Sequence, residues 1–423
     1  MPNFIAKLRL IATDRDLRKR ILFILFILLV FRLGANIPIP GVDLEQLTNF
    51  FSGSQFFGLL NVFSGGGLSN LSLFMLGVGP YITASIIMQL LTMIFPKLRE
   101  MYHEEGAAGK KKFTQYSRLL TVPLAAIQGF GLLTLLKNNG VLGELSAFDQ
   151  FLNIVLVVAG SVLLMWLGEL MSEHGIGNGV SLIIFAGIVA SIPSVVQQLL
   201  LVFDVSQVPL YLGFLVAAIV IIAGVVVITE AERPIPITYA KRIRGMKVYG
   251  GISTYLPLRV NQAGVIPIIF ALSILLFPQM IVSLFDTVQN PIVSTLVSLL
   301  ETVIANLWVY GIAYFLLVFL FTYFYTAVTF DPDAIATNLQ KSGAFIPGVR
   351  PGTSTSEYLG TILGRITLVG ALFLGTIAVL PFIMQAITGN QSLAIGGTGI
   401  LIVVSVVLDL LKRVDAQVSM REY

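Results

Sequence analysis

Long stretches without a charged residue constrain the fold of this chain more than any other feature of its sequence. Asp, Glu, Lys and Arg make up 11% of the 423 residues, against about 25% in an average soluble domain. They are absent from residues 46–96, 119–136, 150–168, 175–203, 205–229, 260–285, 302–330 and 366–408. A helix needs about 20 apolar residues to cross a bilayer. The sequence therefore predicts an all-α membrane protein and excludes a soluble enzyme.

The number of membrane spans follows from these stretches and from one more near the N-terminus. Residues 21–31 reach spanning length by continuing past Arg32 towards Ile37, because an arginine near a span end can extend to the interface. A cleaved signal peptide is the alternative, but no Ala-x-Ala-like site follows. Polar residues divide the 366–408 stretch into two helices. We therefore predict ten spans.

The distribution of basic residues predicts the orientation in the membrane. Ten spans place both termini on one side, and 24 of the 26 Lys and Arg residues then fall on that side. The other side holds only Arg32 and Lys137. Because cytoplasmic connections carry an excess of Lys and Arg, both termini are predicted to be cytoplasmic.

A polar break around Asp204 divides the ten spans into two groups of five. Two structural repeats with an odd number of crossings must be inverted relative to one another, and such repeats hold their site where they meet near the membrane midplane. The halves share no convincing sequence identity. We expect them to comprise residues 1–203 and 204–423.

Three consecutive glycines interrupt the apolar segment 56–70, ahead of a helix predicted over residues 71–95. Irregular backbone at membrane depth occurs only where protein or a water-filled cavity satisfies its polar groups. Composition leaves two interpretations open. The segment is either an interfacial loop at the outer surface or a short half-helix folded into a cavity.

Ionisable residues are scarce within the spans. Arg32 and Glu169 lie near span ends, and no Asp, Glu, His or Lys falls near a span centre. A secondary transporter for a small solute, the main alternative, usually has such a residue for its coupling ion. The chain contains no cysteine, and its basic turn Gly106-Ala-Ala-Gly-Lys-Lys lacks the spacing of a P-loop. We expect no catalysis, metal or cofactor, and energy supplied from outside the chain.

Two long basic connections, residues 230–260 and 327–360, lie on the predicted cytoplasmic side. Loops of this length in a compact protein usually have a function. Contact with anionic lipid would explain their charge but not their length, and a purely structural scaffold would explain neither the loops nor the glycine-broken segment. Alternating residues at 235–239 favour a strand. The loops are predicted to dock an acidic or RNA-bearing partner.

Seven motifs occur in order along the chain. They are FRLGANIPIPG at residues 31–41, FSGGGLS at 63–69, PYITASIIMQLL at 80–91, GIGNGVS at 175–181, YAKR at 239–242, AGVIP at 263–267 and KSGAFIPGVRPG at 341–352. Together they resemble the SecY family, the central subunits of the bacterial Sec protein translocase. The resemblance implies ten transmembrane helices in two inverted five-helix halves around a central hourglass pore in the bacterial plasma (inner) membrane. It implies a non-enzymatic channel that translocates unfolded secretory polypeptides and releases hydrophobic segments through a lateral gate.

The resemblance also implies roles for individual residues. A plug half-helix over residues 61–72 would include Asn61, Val62, Phe63, Ser64, Gly65, Gly66, Gly67, Leu68 and Ser69. The constriction ring of the pore would consist of Val78, Ile82, Val180, Ile184, Ile269 and Ile402. Aliphatic side chains suit a constriction because a narrow apolar ring expels water and can seal around a sliding chain. The polar residues of the lateral gate would be Thr83, Gln89, Gln128 and Ser273, which could hydrogen-bond across the closed seam.

The same resemblance implies the partners of the chain. The SecA ATPase motor or the ribosome would dock on Lys241, Arg242, Arg244, Lys341 and Arg350. Further partners would be SecE-like and SecG-like small membrane subunits, signal-sequence-bearing polypeptides and the lipid bilayer.

Overall fold

The structure is a computed structural model that describes most of the chain. The described residues are 14–40, 61, 64, 66–68, 70–138, 140–143, 146–201, 208–239, 242–244, 247–249, 253–285, 295, 297–298, 300, 306–388 and 391–419. The helices are α1 Arg15–Gly34, α2 Gly79–Ile94, α3 Pro96–His103, α4 Gly106–Asn138, α5 Ala147–His174, α6 Gly179–Leu201, α7 Val208–Glu230, α8 Ile266–Phe285, α9 Leu307–Thr329, α10 Pro332–Lys341, α11 Thr353–Thr388 and α12 Gln391–Ser419. The strands are β1 Glu232–Tyr239, β2 Arg242–Arg244, β3 Lys247–Tyr249, β4 Ser253–Arg259 and β5 Ala344–Phe345.

Each predicted span overlaps one long helix, namely α1, α2, α4, α5, α6, α7, α8, α9, α11 or α12. Among the described residues, four helical segments are long and apolar enough to cross a membrane: Gly106–Asn138, Ala147–His174, Leu307–Lys341 and Thr353–Met384. A fifth is obtained if α2 and α3, which are bent by 115° at their junction, are counted as one span. The count of ten spans therefore stays a prediction.

Polar side chains determine where several helices begin. The carboxylate of Asp14 accepts hydrogen bonds from the first turn of α1, and the carboxamide of Asn306 does the same for α9. Ser146 accepts from the backbone N–H of Asp149 at the start of α5. The first N–H groups of a helix have no partner within the helix, so these caps stabilise each start.

One central core connects most of the helices. Its buried residues come from α1, α2, α5, α6, α7, α8, α9, α11 and α12. Helices from before and after the break at Asp204 meet along two main seams. In one seam α8 packs against α2 and α4, and in the other α12 packs against α6. The core therefore lies between the two groups of helices that the sequence separated.

The helix predicted over residues 71–95 was wrong at its N-terminal end, because α2 begins at Gly79. The preceding residues form turns. The N–H of Ile39 donates to the Leu71 carbonyl at 2.9 Å, and the φ angles of Leu71 and Gly77 are +40° and +57°. Left-handed residues interrupt an α-helix. The hydrogen bonds that a helix would supply here are therefore partly replaced by bonds to the neighbouring segment.

The two long basic connections form one unit around a small sheet with strand order β4-β1-β5. β1 pairs antiparallel with β4 from Glu232 opposite Arg259 to Thr238 opposite Ser253. β5, from the second connection, pairs with the other edge of β1. The strand predicted at residues 235–239 is confirmed. The expected all-α class is corrected to mostly helical, because Ile235 and Ile237 of β1 pack with Leu258 of β4 and Ala344 of β5 in a separate apolar core.

Candidate functional site

The six residues predicted for the pore ring lie in or against the central core. Val78, Ile82, Ile184, Ile269 and Ile402 are buried, and Val180 is half-buried and packs on the same core. They belong to α2, α6, α8 and α12, with Val78 directly before α2. These are the helices that meet along the two seams. The predicted ring residues therefore lie where the two groups of helices contact each other.

Four of the ring residues line one cavity of about 510 Å³, which we call the vestibule. They are Ile82, Val180, Ile184 and Ile269. The remaining wall is largely polar and includes Ser85, Gln89, Arg118, Glu169, Ser172, Glu173, Asn178 and Ser181. Polar side chains and predicted ring residues therefore line the same cavity. Water and a polar peptide can occupy the vestibule, whereas the aliphatic residues disfavour both.

A bidentate ion pair crosses the wall of the vestibule. Nε and Nη2 of Arg118 each lie 2.8 Å from one carboxylate oxygen of Glu169. The hydroxyl of Tyr81 also donates to Glu169, at 3.4 Å. Parallel N–H···O bonds of this kind are among the strong charge-assisted interactions. They connect α4 and α5, and through Tyr81 they reach α2 next to Ile82.

The residues predicted for the lateral gate lie on helices that pack together. Thr83, Gln128 and Ser273 are buried, and their helices α2, α4 and α8 are neighbours. The Thr83 hydroxyl donates to the Gly79 carbonyl at 3.0 Å. Thr83 and Ser273 each donate their hydroxyl hydrogen within their own helix, and the hydrogen bonds expected across the seam stay a prediction. A buried hydroxyl on a helix readily satisfies itself on the carbonyl one turn earlier.

The other two gate hydrogen bonds follow the same pattern. Ser273 donates to the Ile269 carbonyl at 2.9 Å, and Gln89 donates to Ser85 at 3.4 Å. The Oε1 atom of Gln89 is buried without a partner among the described residues. Gln89 lines the vestibule. Its carboxamide oxygen therefore remains available for a further hydrogen bond.

The predicted plug segment is described only in part, since Val62, Phe63, Gly65 and Ser69 lie outside the described residues.

Its described residues form turns after Asn61. Gly66 donates its N–H to the Asn61 carbonyl at 2.8 Å, and the Leu68 N–H donates to the Ser64 hydroxyl at 3.0 Å. Ser64 and Leu68 are buried, Leu68 in a second core formed with α4 and α5. A Cβ on Gly67 would lie 2.7 Å from the Phe74 carbonyl oxygen, so glycine is required there. The half-helix stays a prediction.

The residues predicted for docking lie on the unit that contains the small sheet. Lys341 ends α10, and the exposed Arg350 lies in the turn before α11. The Arg350 carbonyl accepts a hydrogen bond from the Thr355 hydroxyl at 2.9 Å. Arg242 and Arg244 are the ends of β2 in its hairpin with β3, and Lys241 lies outside the described residues. Pairing of β1 with both β4 and β5 brings the two connections together.

Sequence reasoning missed several vestibule residues. Tyr81 and Asn178 belong to two of the seven motifs but received no role. Asn178 accepts hydrogen bonds from the N–H groups of Val180 and Ser181, at 3.0 and 3.3 Å, and so caps α6 beside a ring residue. Arg118 lies in no motif, so only its position after a basic run could have indicated it. Within the described residues, no group of three or more His, Asp or Glu could hold a metal ion.

Comparisons with known proteins agree with this arrangement. The sequence profile of the SecY family matches residues 72–411. The chain is 42% identical to the protein translocase subunit SecY of Mycobacterium bovis over 441 residues, covering 99% of this chain and 98% of that protein. It is 43% identical to the same subunit of Streptomyces coelicolor over 424 residues, covering 96% of each.

Solved structures with a similar fold are also known. A structure of a protein conducting channel matches with a TM-score of 0.63 at 19% identity, covering 93% of this chain and 90% of that one. Sec61 in the canine ribosome-channel complex matches with a TM-score of 0.58 at 18% identity, with the same coverage of both chains.

Proposed function

Because this chain belongs to the SecY family, we propose that it forms a protein-conducting channel that translocates unfolded secretory polypeptides across the plasma membrane and releases hydrophobic segments sideways into the bilayer. The observation that carries this proposal is the vestibule, where polar side chains and four of the predicted aliphatic ring residues line one cavity. An unfolded chain offers polar backbone groups along its whole length. It needs a hydrated entrance followed by a constriction that keeps ions out.

The vestibule and the ring then have separate tasks. The hydroxyls, carboxamides and charges of the vestibule hydrate an entering segment and exchange hydrogen bonds with it. The ring residues make no hydrogen bond or ion pair through their side chains, so they hold no cargo side chain tightly. A narrow ring of such residues also expels water, which opposes ion flow when no chain is present. No bond is made or broken in this process.

Lateral release requires α8 to separate from α2 and α4. Thr83 and Ser273 satisfy their hydroxyls within their own helices, so separation breaks packing contacts but no hydrogen bond between these two residues. These two hydroxyl donors therefore keep their hydrogen-bond partners when the helices separate. An incoming hydrophobic helix can then replace the lost apolar contacts at the seam, which is the proposed basis of release into lipid.

Docking of partners is proposed for the unit around the small sheet. Lys341 and Arg350 are exposed there, and Arg242 and Arg244 come from the other basic connection. Basic residues of both connections and exposed aromatic residues such as Tyr255 suit an RNA or acidic protein surface. We propose the ribosome and the SecA motor as partners on this face, with both chain termini on the same cytoplasmic side.

Small membrane subunits are proposed for the lipid-facing helices. α7 leaves many large apolar side chains exposed, including Leu212, Leu215, Val216, Ile219 and Val220. Its main helix neighbour within the described residues is α12. SecE-like and SecG-like helices would cover such faces, as would the bilayer itself.

The ring is tested by removing two of its side chains together. Ile82→Gly with Ile269→Gly should raise the ion conductance of the resting channel in planar bilayers, because it widens and wets the constriction. The matched control is Ile86→Gly with Ile268→Gly, since both residues are buried on the same two helices but lie outside the vestibule wall. Unchanged conductance in the first variant, or an equal increase in the control, would contradict the proposed ring.

A further inference from the structure

A second cavity lies beside the vestibule, and we call it the side pocket. It has a volume of about 300 Å³ and is lined by the ends of α6, α7, α8 and α12 and by the segment before α8. Thr229, near the C-terminal end of α7, is part of its wall. The pocket therefore lies at the C-terminal end of the span that the sequence predicts for residues 205–229. We propose that the side pocket binds a phosphate-type anion, supplied by an acidic phospholipid headgroup or by free phosphate.

Two deeply buried polar groups in the pocket wall have no hydrogen-bond partner among the described residues. They are Oδ1 of Asn261 and Oγ of Ser405. Asn261 is 6% exposed and Ser405 is 8% exposed. Native proteins rarely leave such atoms unpaired, so a ligand or water must complete their bonds. The Ser405 hydroxyl can donate a hydrogen bond to an anion. If the Asn261 carboxamide rotates by 180°, its NH₂ group replaces Oδ1 and can donate as well.

The charges around the pocket favour an anion. Lys412 pairs with Glu230 at 2.9 Å, and Arg413 pairs with Asp409 at 2.8 Å. Within each pair the positive and the negative charge cancel. Arg259 also lines the pocket, is exposed and has no carboxylate partner among the described residues. Glu232 lies opposite Arg259 in the pairing of β1 with β4 but forms no ion pair with it, so the Arg259 guanidinium is available to this cavity, and its planar donors match the oxygens of a phosphate.

The N-terminus of α8 adds to the positive potential in the side pocket. Val265 and Ile266 line the pocket at the N-terminus of this 20-residue helix, and Gly264 turns the chain there with a φ of +63°. Unpaired N–H groups give a helix N-terminus a partial positive charge that attracts anions. The helix end, the arginine and two unsatisfied side chains thus converge on one cavity.

Two sources of phosphate can reach the side pocket. In the predicted orientation the end of α7 and the partly exposed Lys412 lie at the cytoplasmic leaflet, where acidic lipids attract basic residues. The wall also shares Asn178, Ser181 and Tyr325 with the vestibule, which gives access from water. An experiment must therefore separate lipid-borne phosphate from free phosphate.

Native mass spectrometry of the full-length purified channel can make this separation. One arm measures how much phosphatidylglycerol remains bound, with phosphatidylcholine as the neutral lipid. The other arm adds inorganic phosphate and measures displacement of the lipid and direct retention of phosphate. Saturable phosphatidylglycerol that resists phosphate supports the lipid headgroup as the source. Retention of phosphate alone supports the free anion.

Variants assign the binding to the pocket. Arg259→Gln with Ser405→Ala should weaken anion binding by about tenfold or more, because a charge-assisted and a neutral hydrogen bond are lost. The controls are Arg365→Gln, an exposed arginine on α11, and Ser161→Ala, a buried hydroxyl without a partner on α5. Monodisperse elution shows that each variant is folded. Binding that is equally strong in the double variant, or equally weakened in the controls, overturns the proposal, as does retention of neither ligand.

Discussion

The ion pair between Arg118 and Glu169 should couple α4 to α5 at the vestibule wall. Glu169→Gln removes the negative charge and keeps the size of the side chain. Arg118→Gln removes the opposite charge. A double-mutant cycle over these two substitutions isolates the interaction energy of the pair from the separate effects of each change.

The expected magnitude follows from the geometry and exposure of the pair. Two unit charges about 4 Å apart attract by about 4 kcal/mol at an effective dielectric constant of 20. The Glu169 side chain is 17% exposed, but the Arg118 side chain is 46% exposed, so water screens the attraction and solvates Arg118 when its partner is lost. Exposed pairs contribute about 0–1 kcal/mol and breaking buried pairs costs about 3–5 kcal/mol. We therefore expect a coupling energy of about 1–2 kcal/mol.

The measurement is the reversible unfolding of the full-length chain by SDS in mixed micelles, followed by tryptophan fluorescence. Trp166 lies three residues before Glu169 on α5 and reports on this region. The control cycle uses Lys112 and Glu105, whose charged atoms lie 3.7 Å apart and whose side chains are 61% and 45% exposed. Its coupling energy should stay below about 0.5 kcal/mol.

Two results would refute this reasoning. A coupling energy for Arg118 and Glu169 no larger than that of the control pair would mean that the bidentate geometry adds nothing. A Glu169→Gln variant that unfolds like the parent chain, with Arg118→Gln strongly destabilised, would mean that Arg118 acts through some other contact.

The remaining predictions concern packing and docking. Gly160→Ala should lower the free energy of unfolding by about 1–3 kcal/mol, because its Cβ would lie 2.0 Å from the Leu73 carbonyl oxygen. In Gly129→Ala the new Cβ would lie 3.5 Å from its nearest neighbour, an ordinary van der Waals distance, so this control should not lower the free energy of unfolding. Equal decreases in both variants would contradict the packing argument. Arg350→Glu should abolish SecA-driven translocation in reconstituted vesicles while the channel still inserts into the membrane. Arg365→Glu should leave transport intact, and full transport by the Arg350 variant would refute its docking role.

Much of the helical framework could be predicted from the sequence. Each of the ten predicted spans overlaps a helix, since the length of an apolar run and the polar residues that bound it are local properties. The strand at residues 235–239 was also predictable, because its alternation is local. The start of α2 was not predictable in this way. It depends on a hydrogen bond between Ile39 and Leu71, two residues that lie far apart in the chain.

The candidate site shows the same division. The family resemblance indicated the ring residues, and five of the six are buried in one core. The motifs did not indicate that Thr83 and Ser273 bond within their own helices, because the competition between a helix carbonyl and a partner across a seam is decided by distance. Nor could they indicate the side pocket, whose wall combines residues from the ends of four helices.

The sequence by itself determined that this chain is a mostly apolar membrane protein, because charged groups are costly to place in lipid, and it predicted that the basic residues lie on one side of the membrane. Only the tertiary structure decided what the few polar residues do. From the sequence, Glu169 is an ordinary charge near the end of a helix. In the structure, α4 places Arg118, 51 positions away in the chain, in contact with it. Helix packing determines such a partner. Packing depends on all the contacting segments at once, so the local sequence around Glu169 or Arg118 does not indicate it.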